Sequence, residues 1–273
     1  MHYIHEKITG IDNTQADLYG YVLDNSPEID MNRHRPAILI LPGGGYEMTS
    51  DREAEPIAIQ FAAAGYQAFV LRYSVYPSIY PTSLLQVADS LALIRRNAQI
   101  WHLNPDHVAL MGFSAGGHLA ATLATSSGNE AIREHARDNI QVKPNALLLG
   151  YPVITTGALT HQESINHLLG AQKTNNHLLD MLSIEKHVDS NTPPIFVWHT
   201  MPDDTVPVEN TLSLIQACKK AGASIEAHLF PAGGHGLALG TEETAWGGQG
   251  PLVPAIQIWP HLAIDWLNRT FES

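Results

Sequence analysis

The stretch that decides the fold is residues 107–124, HVALMGFSAGGHLAATLA. Its apolar start predicts a buried strand and its end predicts a helix. Between them, Gly112, Ser114 and Gly116 form the pattern G-x-S-x-G, which places a serine on a sharp strand-to-helix turn with its hydroxyl exposed to substrate. The glycines are needed where a side chain would collide in so tight a turn. The stretch predicts a nucleophilic Ser114; a turn of small residues that only lets the helix pack on the sheet is the alternative.

Apolar, strand-like segments alternate with helical patterns along most of the chain. The predicted strands are residues 37–41, 67–71, 107–111, 146–149, 195–198 and 225–230, and the predicted helices are residues 54–64, 84–98, 118–124, 208–221 and 254–268. Strands without polar alternation, separated by helices, indicate a mostly parallel sheet with helices on both faces, an α/β fold. The opening segments, residues 4–8 and 17–23, are instead typical of an antiparallel edge pair.

One segment interrupts this alternation. Residues 154–194 contain no clear strand and are rich in Asn and His. We expect an insertion over the carboxyl edge of the sheet, forming a small cap, and a plain surface excursion is the alternative. Because no repeat or low-complexity linker divides the chain, residues 1–273 are expected to form a single domain.

Charge and composition restrict the classes of function. The 27 acidic and 15 basic residues give a net charge of −12, and no basic stretch predicts binding to nucleic acid or an anionic membrane. The first ten residues lack the apolar stretch of a signal peptide, and no apolar run approaches the ~20 residues that cross a bilayer. The single cysteine, Cys218, excludes an intrachain disulfide and is expected to be buried. We expect a cytoplasmic protein; homo-oligomerisation stays open.

A serine hydroxyl becomes a nucleophile when a neighbouring base takes its proton, and the base needs an orienting carboxylate. Both partners are expected after the serine, on loops at the carboxyl ends of strands. The loop after the last predicted strand carries His235 among glycines, which predicts the base. The loop after the strand at residues 195–198 carries Asp203 and Asp204, of which only one can face the histidine. His118, four residues after the serine, is expected to be structural.

The developing oxyanion needs backbone N–H donors. One donor is expected from Ala115, directly after the serine, and the other from Gly44 or Gly45 in the run PGGGY, residues 42–46. A phosphate-cradling loop is the competing interpretation, but the run lacks a following Lys-Ser/Thr and the G-x-G-x-x-G spacing. No set of His, Cys and carboxylate residues has metal-ligand spacing, so neither a metal nor another cofactor is expected.

With these residues assembled, the sequence resembles the α/β-hydrolase superfamily, and more narrowly the bacterial acetylxylan-esterase-like carboxylesterases related to the hormone-sensitive-lipase group. The matching pieces are residues 42–46 (PGGGY), 72–73 (RY), 112–120 (GFSAGGHLA), 193–194 (PP), 199–207 (HTMPDDTVP) and 235–236 (HG), together with Trp259 and Trp266. They span most of the chain, and their combination is specific although each piece alone is not.

The resemblance implies a role for each candidate residue. It makes Ser114 the nucleophile and His235 the base. It makes Asp203 the acid, because in the family pattern the acid falls four residues after the histidine that ends the strand, here His199. It also implies that Gly44, Gly45 and Ala115 are the oxyanion donors. Pro42 stands where the lipase-type His-Gly-Gly-Gly motif has its histidine, so no contact of that side chain is carried over.

The function implied is a serine carboxylic ester hydrolase that acts through an acyl-enzyme on small acyl esters, with O-acetylated sugars or xylo-oligosaccharides as implied substrates. A prolyl-oligopeptidase-type peptidase is disfavoured, because the sequence shows neither a propeller domain nor an obvious carboxylate pair for a peptide amine. A hydrolase-fold binding protein with an idle triad is disfavoured by the complete set of catalytic residue types. Tyr46, Tyr151 and Val153 adjoin the carboxyl edge of the sheet and are expected to line the substrate pocket.

Overall fold

The computed structural model describes residues 1–125, 129–135 and 141–272. Within them the strands are β1 His2–Thr9, β2 Gln15–Val22, β3 Arg35–Leu41, β4 Gln67–Arg72, β5 Leu103–Phe113, β6 Ala146–Gly150, β7 Ile195–Thr200 and β8 Ile225–Phe230. The α-helices are α1 Glu55–Ala63, α2 Thr82–Arg96, α3 Ser114–Ala124, α4 Glu130–His135, α5 Gln162–Leu169, α6 Asn176–Met181, α7 Glu209–Ala221 and α8 Trp259–Glu272.

The strands form one sheet in the order β1-β2-β4-β3-β5-β6-β7-β8. β1 pairs antiparallel with β2, and β2 with β4, whereas β3 to β8 are parallel. Both α/β predictions, the parallel sheet and the antiparallel edge pair, are therefore confirmed. Because the chain moves from β3 to one side and then crosses back to β5 on the other, the loops after β3 and β5 flank a crevice at the carboxyl edge of the sheet, where ligands bind in open α/β sheets.

Successive side chains of each central strand enter different cores. In β3, Leu39 packs in one apolar cluster with α2, α3 and α7, and Ile38 and Ile40 pack in the other with α1 and α8. Both faces of the sheet are thus covered, which is why the central strands carry almost no polar residues. Cys218 is fully buried in the first of these cores, and burial raises the pKa of its thiol to about 11.

Two elements differ from the sequence prediction. β5 begins at Leu103 instead of residue 107, because Leu103 pairs with Arg35 across a bulge that the polar residues between hide in the sequence. The predicted helix 254–268 is divided: Pro254–Ile256 is a short 3-10 helix, and α8 begins at Trp259 and runs to Glu272. Pro260 lies in the first turn of α8, where the missing N–H of proline leaves no hydrogen bond unmade.

Residues 154–194 contain α5, α6 and 3-10 turns, and no strand. The apolar side chains of this insertion join the same core as α2 and α3; they are Ile154, Ile165, Leu168, Leu169, Leu182 and Ile184. The insertion is also fastened to the loop after β3, because a His167 ring nitrogen lies 2.9 Å from the Gly45 carbonyl oxygen. That this segment forms a cap over the carboxyl edge of the sheet stays a prediction.

In the described ranges, none of the helices combines the length and the apolar character that crossing a membrane requires.

Candidate active site

Ser114 stands on a strained turn between β5 and α3. Its φ is 51°, in the left-handed region that non-glycine residues adopt at a cost. A Cβ added to Gly112 would lie 2.2 Å from the carbonyl oxygen of Gly116, and one added to Gly116 would lie 2.3 Å from that of Leu41. Both obstacles are backbone atoms that cannot rotate away. The glycines are therefore required, and the turn holds the serine hydroxyl at the carboxyl edge of the sheet.

The loops after β5, β7 and β8 bring three predicted residues into one hydrogen-bonded chain. The Ser114 Oγ lies 2.8 Å from His235 Nε2, and His235 Nδ1 lies 2.7 Å from Asp203 Oδ2. In the neutral imidazole, Nδ1–H donates to the carboxylate, and Nε2 is left to accept the serine proton. Parallel strands present their carboxyl ends at one edge, so residues 89 and 32 positions apart along the chain meet there.

Asp203 is held as a carboxylate. Burial by itself would raise its pKa, but hydrogen bonds from His199 and His235, the charge of His235 and the Val206 amide hold that pKa well below its ordinary value. Oδ1 accepts from the Thr205 and Val206 amides at 3.0 and 2.9 Å. An ionised acid at this position keeps the base in the tautomer that can accept a proton from serine.

His199, which ends β7, supports the acid from the other side. Its Nε2 faces two acceptors, Asp203 Oδ2 at 3.2 Å and the Val206 carbonyl at 3.0 Å, so Nε2 carries the proton. Nδ1 then accepts from the Thr211 hydroxyl at 2.8 Å. Asp204 is exposed and makes no contact with His235 within the described residues. The structure thus turns Asp203, and not its neighbour, toward His235.

The glycine run after β3 lies beside the serine. The Gly43 amide donates to Glu53 Oε2 at 2.7 Å, whereas the amides of Gly44 and Gly45 have no acceptor in the described part of the chain. Gly44 has a φ of 129°, and a Cβ there would lie 2.3 Å from the Met48 carbonyl oxygen. Ala115 occupies the first turn of α3, where amides lack an intrahelical acceptor. The role of these three amides as oxyanion donors stays a prediction.

Two supporting residues, Arg52 and Glu53, were not predicted from the sequence. They lie in a 3-10 turn before α1. The Glu53 carboxylate is buried; it accepts from Gly43 N and, at 2.6 Å, from the Tyr151 hydroxyl. Arg52 Nη1 donates to the Gly236 carbonyl oxygen at 2.6 Å. One short turn therefore connects the glycine run with the loop that carries His235. The sequence marks these two residues only by their opposite charges in a polar stretch, and many surface turns show the same pattern.

The three residues predicted to line the pocket, Tyr46, Tyr151 and Val153, are buried. The Tyr46 hydroxyl lies 2.9 Å from His118 Nδ1. The Tyr151 hydroxyl donates a hydrogen bond to Glu53, and the Tyr151 ring packs edge-on against His235 with ring centroids 5.0 Å apart. Val153 is fully buried. Tyr46 and Tyr151 thus contact groups next to the site, and the expectation that the three residues line the substrate pocket stays a prediction.

The structural assignment of His118 agrees with its surroundings. The ring is fully buried, with Nε2 2.9 Å from the Leu182 carbonyl oxygen and Nδ1 next to the Tyr46 hydroxyl. Burial lowers its pKa to about 4, against a smaller opposing effect of the Leu182 carbonyl. His161 lies in the segment 154–194, and burial and the neighbouring His235 lower its pKa. No group of three or more His, Cys, Asp or Glu side chains in the described ranges is arranged to hold a metal ion.

The fold and the arrangement of these residues define the class of the protein as an α/β-hydrolase. A solved structure, that of the acetyl ester-xyloside bifunctional hydrolase from Caldicellulosiruptor lactoaceticus, is 33% identical and aligns with a TM-score of 0.80, covering 94% of this chain and 88% of that one. More narrowly, a family model described as BD-FAE matches residues 25–218. The chain belongs to this family, and the superfamily resemblance predicted from the sequence is confirmed.

Two relatives support the same placement. The endo-1,4-beta-xylanase B of Butyrivibrio fibrisolvens is 36% identical over 220 residues, which are 78% of this chain and 34% of that protein. The acetylxylan esterase of Xylanibacter ruminicola is 31% identical over 210 residues, 75% of this chain and 42% of that protein. The chain therefore spans less than half the length of either relative.

Proposed function

We propose that this protein is a serine carboxylic ester hydrolase that works through an acyl-enzyme. The observation that carries the proposal is the hydrogen-bonded chain from Ser114 Oγ to His235 at 2.8 Å and on to Asp203 at 2.7 Å. A serine, a histidine and an ionised carboxylate in this arrangement perform nucleophilic acyl transfer on several unrelated folds.

In the first half of the reaction, Ser114 Oγ attacks the ester carbonyl carbon while its proton passes to His235 Nε2. The carbonyl oxygen becomes an oxyanion, which the amides of Ala115 and of Gly44 or Gly45 are free to bind. The intermediate collapses, the carbon–oxygen bond to the alcohol breaks, and His235 returns the proton to the departing oxygen. Asp203 remains ionised and stabilises the transient imidazolium.

In the second half, His235 takes a proton from water as the water oxygen attacks the acyl carbon. A second oxyanion forms at the same donors. The bond to Ser114 Oγ then breaks, and the imidazolium returns the proton to the serine. The net reaction converts ester and water into acid and alcohol, and every group of the enzyme regains its starting state.

We propose small acyl esters as substrates, with O-acetylated sugars or xylo-oligosaccharides as the natural class. Support comes from the relatives, whose names are those of an acetylxylan esterase and an acetyl ester-xyloside hydrolase. We propose no partner other than the substrate. Size-exclusion chromatography would measure the oligomeric state. We also propose a cytoplasmic location, which suits a single, buried cysteine and which cell fractionation would test.

The test is hydrolysis of p-nitrophenyl acetate by Ser114→Ala and by the matched pair Asp203→Asn and Asp204→Asn. We expect kcat to fall by about 10⁴-fold or more in the first variant and by about 10⁴-fold in the second, because triad members act as a unit. Asp204→Asn should retain the rate within about twofold, because its side chain is exposed. Substantial activity in Ser114→Ala would refute the proposal.

Two further measurements separate the alternatives. An idle site would fail to react with a fluorophosphonate, whereas the proposed nucleophile should be labelled in the native protein and not in Ser114→Ala. A peptidase would cleave aminoacyl-nitroanilides in preference to acetyl esters. We expect ester hydrolysis to dominate.

A further inference from the structure

An exposed tryptophan stands beside the proposed base. Trp246 is 70% exposed, although an indole is a large apolar side chain that folding usually covers. It lines a recess of about 240 Å³ together with Arg52, His235 and Thr241. The proposed chemistry explains His235 and leaves the tryptophan without a role.

The indole has a fixed support. The Arg52 guanidinium carbon lies 4.9 Å from the ring centroid, a cation–π distance. The same guanidinium donates to the Gly236 carbonyl oxygen at 2.6 Å and to the Thr244 carbonyl oxygen at 3.3 Å. Arg52 therefore connects the loop of Trp246 with the loop of His235. The ring is held near the site as a flat apolar surface before any ligand arrives.

The position of the recess identifies the part of the substrate that it serves. His235 returns its proton to the departing alcohol oxygen, so the alcohol half of the ester must lie next to this imidazole. The acyl half is attached to Ser114 and points its oxygen at the amides of Ala115 and the glycine run. A recess that both His235 and Trp246 line is therefore placed for the alcohol.

The chemistry of the recess favours a sugar ring. A pyranose presents C–H groups on its faces and hydroxyls at its rim, so its face packs on the electron-rich face of an indole while its hydroxyls meet polar groups. Arg52 lies at the recess, and Thr241 contributes an enclosed hydroxyl that has no hydrogen-bond partner within the described residues. The volume is below the roughly 300–1,000 Å³ of pockets for drug-sized ligands, and it suits a single ring.

We propose that the recess between His235 and Trp246 is the subsite for the alcohol half of the ester, and that it takes a pyranose ring stacked on the Trp246 indole. This inference rests on the ester hydrolysis proposed above and adds the residue that selects the alcohol.

The test compares two acetate esters that differ only in the alcohol: an acetylated methyl xyloside and ethyl acetate. The variants are Trp246→Ala, Trp246→Phe and, as a matched control, Tyr3→Ala, which removes an aromatic ring that is 61% exposed on the edge strand β1. The quantity measured is the ratio of kcat/KM for the xyloside ester to kcat/KM for ethyl acetate. Fluorophosphonate labelling checks that each variant keeps an intact nucleophile.

We expect Trp246→Ala to lower this ratio by about tenfold, mainly through KM for the xyloside ester, because the ring packs against the sugar in the bound state. Trp246→Phe should retain most of the wild-type ratio of kcat/KM values, and Tyr3→Ala should leave this ratio within about twofold of wild type. A ratio unchanged in Trp246→Ala would overturn the proposal. Equal losses on both esters would also overturn it, because they would give the tryptophan a structural role only.

The two proposals fail in different ways. If the wild-type protein hydrolyses neither ester, ester hydrolysis is refuted and the subsite is judged by calorimetric titration with methyl β-xyloside, an unreactive ligand. Binding that Trp246→Ala weakens by about tenfold or more would support the subsite. Absence of binding to the wild-type protein would refute it.

Discussion

Glu53 is the residue whose substitution tests the supporting architecture most directly. It is 3% exposed, and its two carboxylate oxygens accept separately from the Gly43 amide at 2.7 Å and from the Tyr151 hydroxyl at 2.6 Å. In Glu53→Gln, one of these oxygens becomes an NH₂ group. Both partners donate to the carboxylate, and the Tyr151 oxygen already accepts from the Ala238 amide at 3.0 Å. The new NH₂ group therefore faces either the Gly43 N–H or the Tyr151 O–H, whichever way the glutamine amide is turned, and can donate to neither.

The magnitude follows from the number of bonds lost. One charge-assisted hydrogen bond disappears, worth roughly 1.5–3 kcal/mol, and a buried donor is left unsatisfied. We expect Glu53→Gln to lower the free energy of unfolding by about 2–3 kcal/mol. The Gly43 amide precedes the proposed oxyanion donors, so a shift of the glycine run should lower kcat for p-nitrophenyl acetate by about 10- to 100-fold.

The matched control is Glu55→Gln, two residues away. Glu55 also accepts from a tyrosine hydroxyl, that of Tyr21 at 2.9 Å, but its side chain is exposed. We expect less than about 0.5 kcal/mol and no change in kcat beyond twofold, because water replaces the lost bond. Urea unfolding and steady-state kinetics measure both quantities. Equal effects of the two substitutions would show that the buried carboxylate does not hold the glycine run.

Three further predictions concern the core and the turn. The pKa of His118 is about 4 in the folded protein, below its ordinary value near 6.5. The neutral His118 ring therefore contributes its full stabilisation above pH 6.5, and this stabilisation is lost as the pH falls toward 4. Urea titrations should show a loss of up to about 3 kcal/mol in the wild type and no such loss in His118→Gln. Gly116→Ala places a Cβ 2.3 Å from the Leu41 carbonyl oxygen and should lower the free energy of unfolding, measured by thermal unfolding, by about 3 kcal/mol or more. Gly222 has a φ of 73° but open space around an added Cβ, so Gly222→Ala should lower it by only about 1 kcal/mol. Similar losses in the two variants would contradict the steric argument. Cys218 is buried, with its pKa raised to about 11, so iodoacetamide at pH 8 should modify it only after unfolding in urea, and rapid labelling of the native protein would refute its burial.

The features of the site that can be predicted from the sequence are those with local causes. The turn at Ser114 requires Gly112 and Gly116 because of backbone atoms a few residues away or in the adjacent strand. The alternation of apolar strands with helices indicates a parallel sheet, and a parallel sheet brings the loops of His235 and Asp203 to one edge whatever the details of packing. The approximate places of Ser114, Asp203 and His235 follow from these two facts.

The features that escape the sequence depend on which polar groups become buried together. Arg52 and Glu53 look like surface charges until the turn that carries them packs between the glycine run and Tyr151. The burial of Tyr46, Tyr151 and Val153 likewise could not be predicted, since adjacency to a strand end does not tell whether a side chain points into a cavity or into the core.

The sequence by itself determined the α/β class, the turn that carries Ser114 and the loops that carry His235 and Asp203, because these follow from short-range sterics and from the period of apolar residues. Between Asp203 and Asp204 the loop sequence alone left the choice open, and the family resemblance favoured Asp203. The tertiary structure shows Asp203 bonded to His235, assigns the proton of His199, and places Trp246 in the same recess as His235. Those choices depend on the directions of side chains that meet across loops far apart in the chain, and such directions are set by packing and by burial of hydrogen-bonding groups.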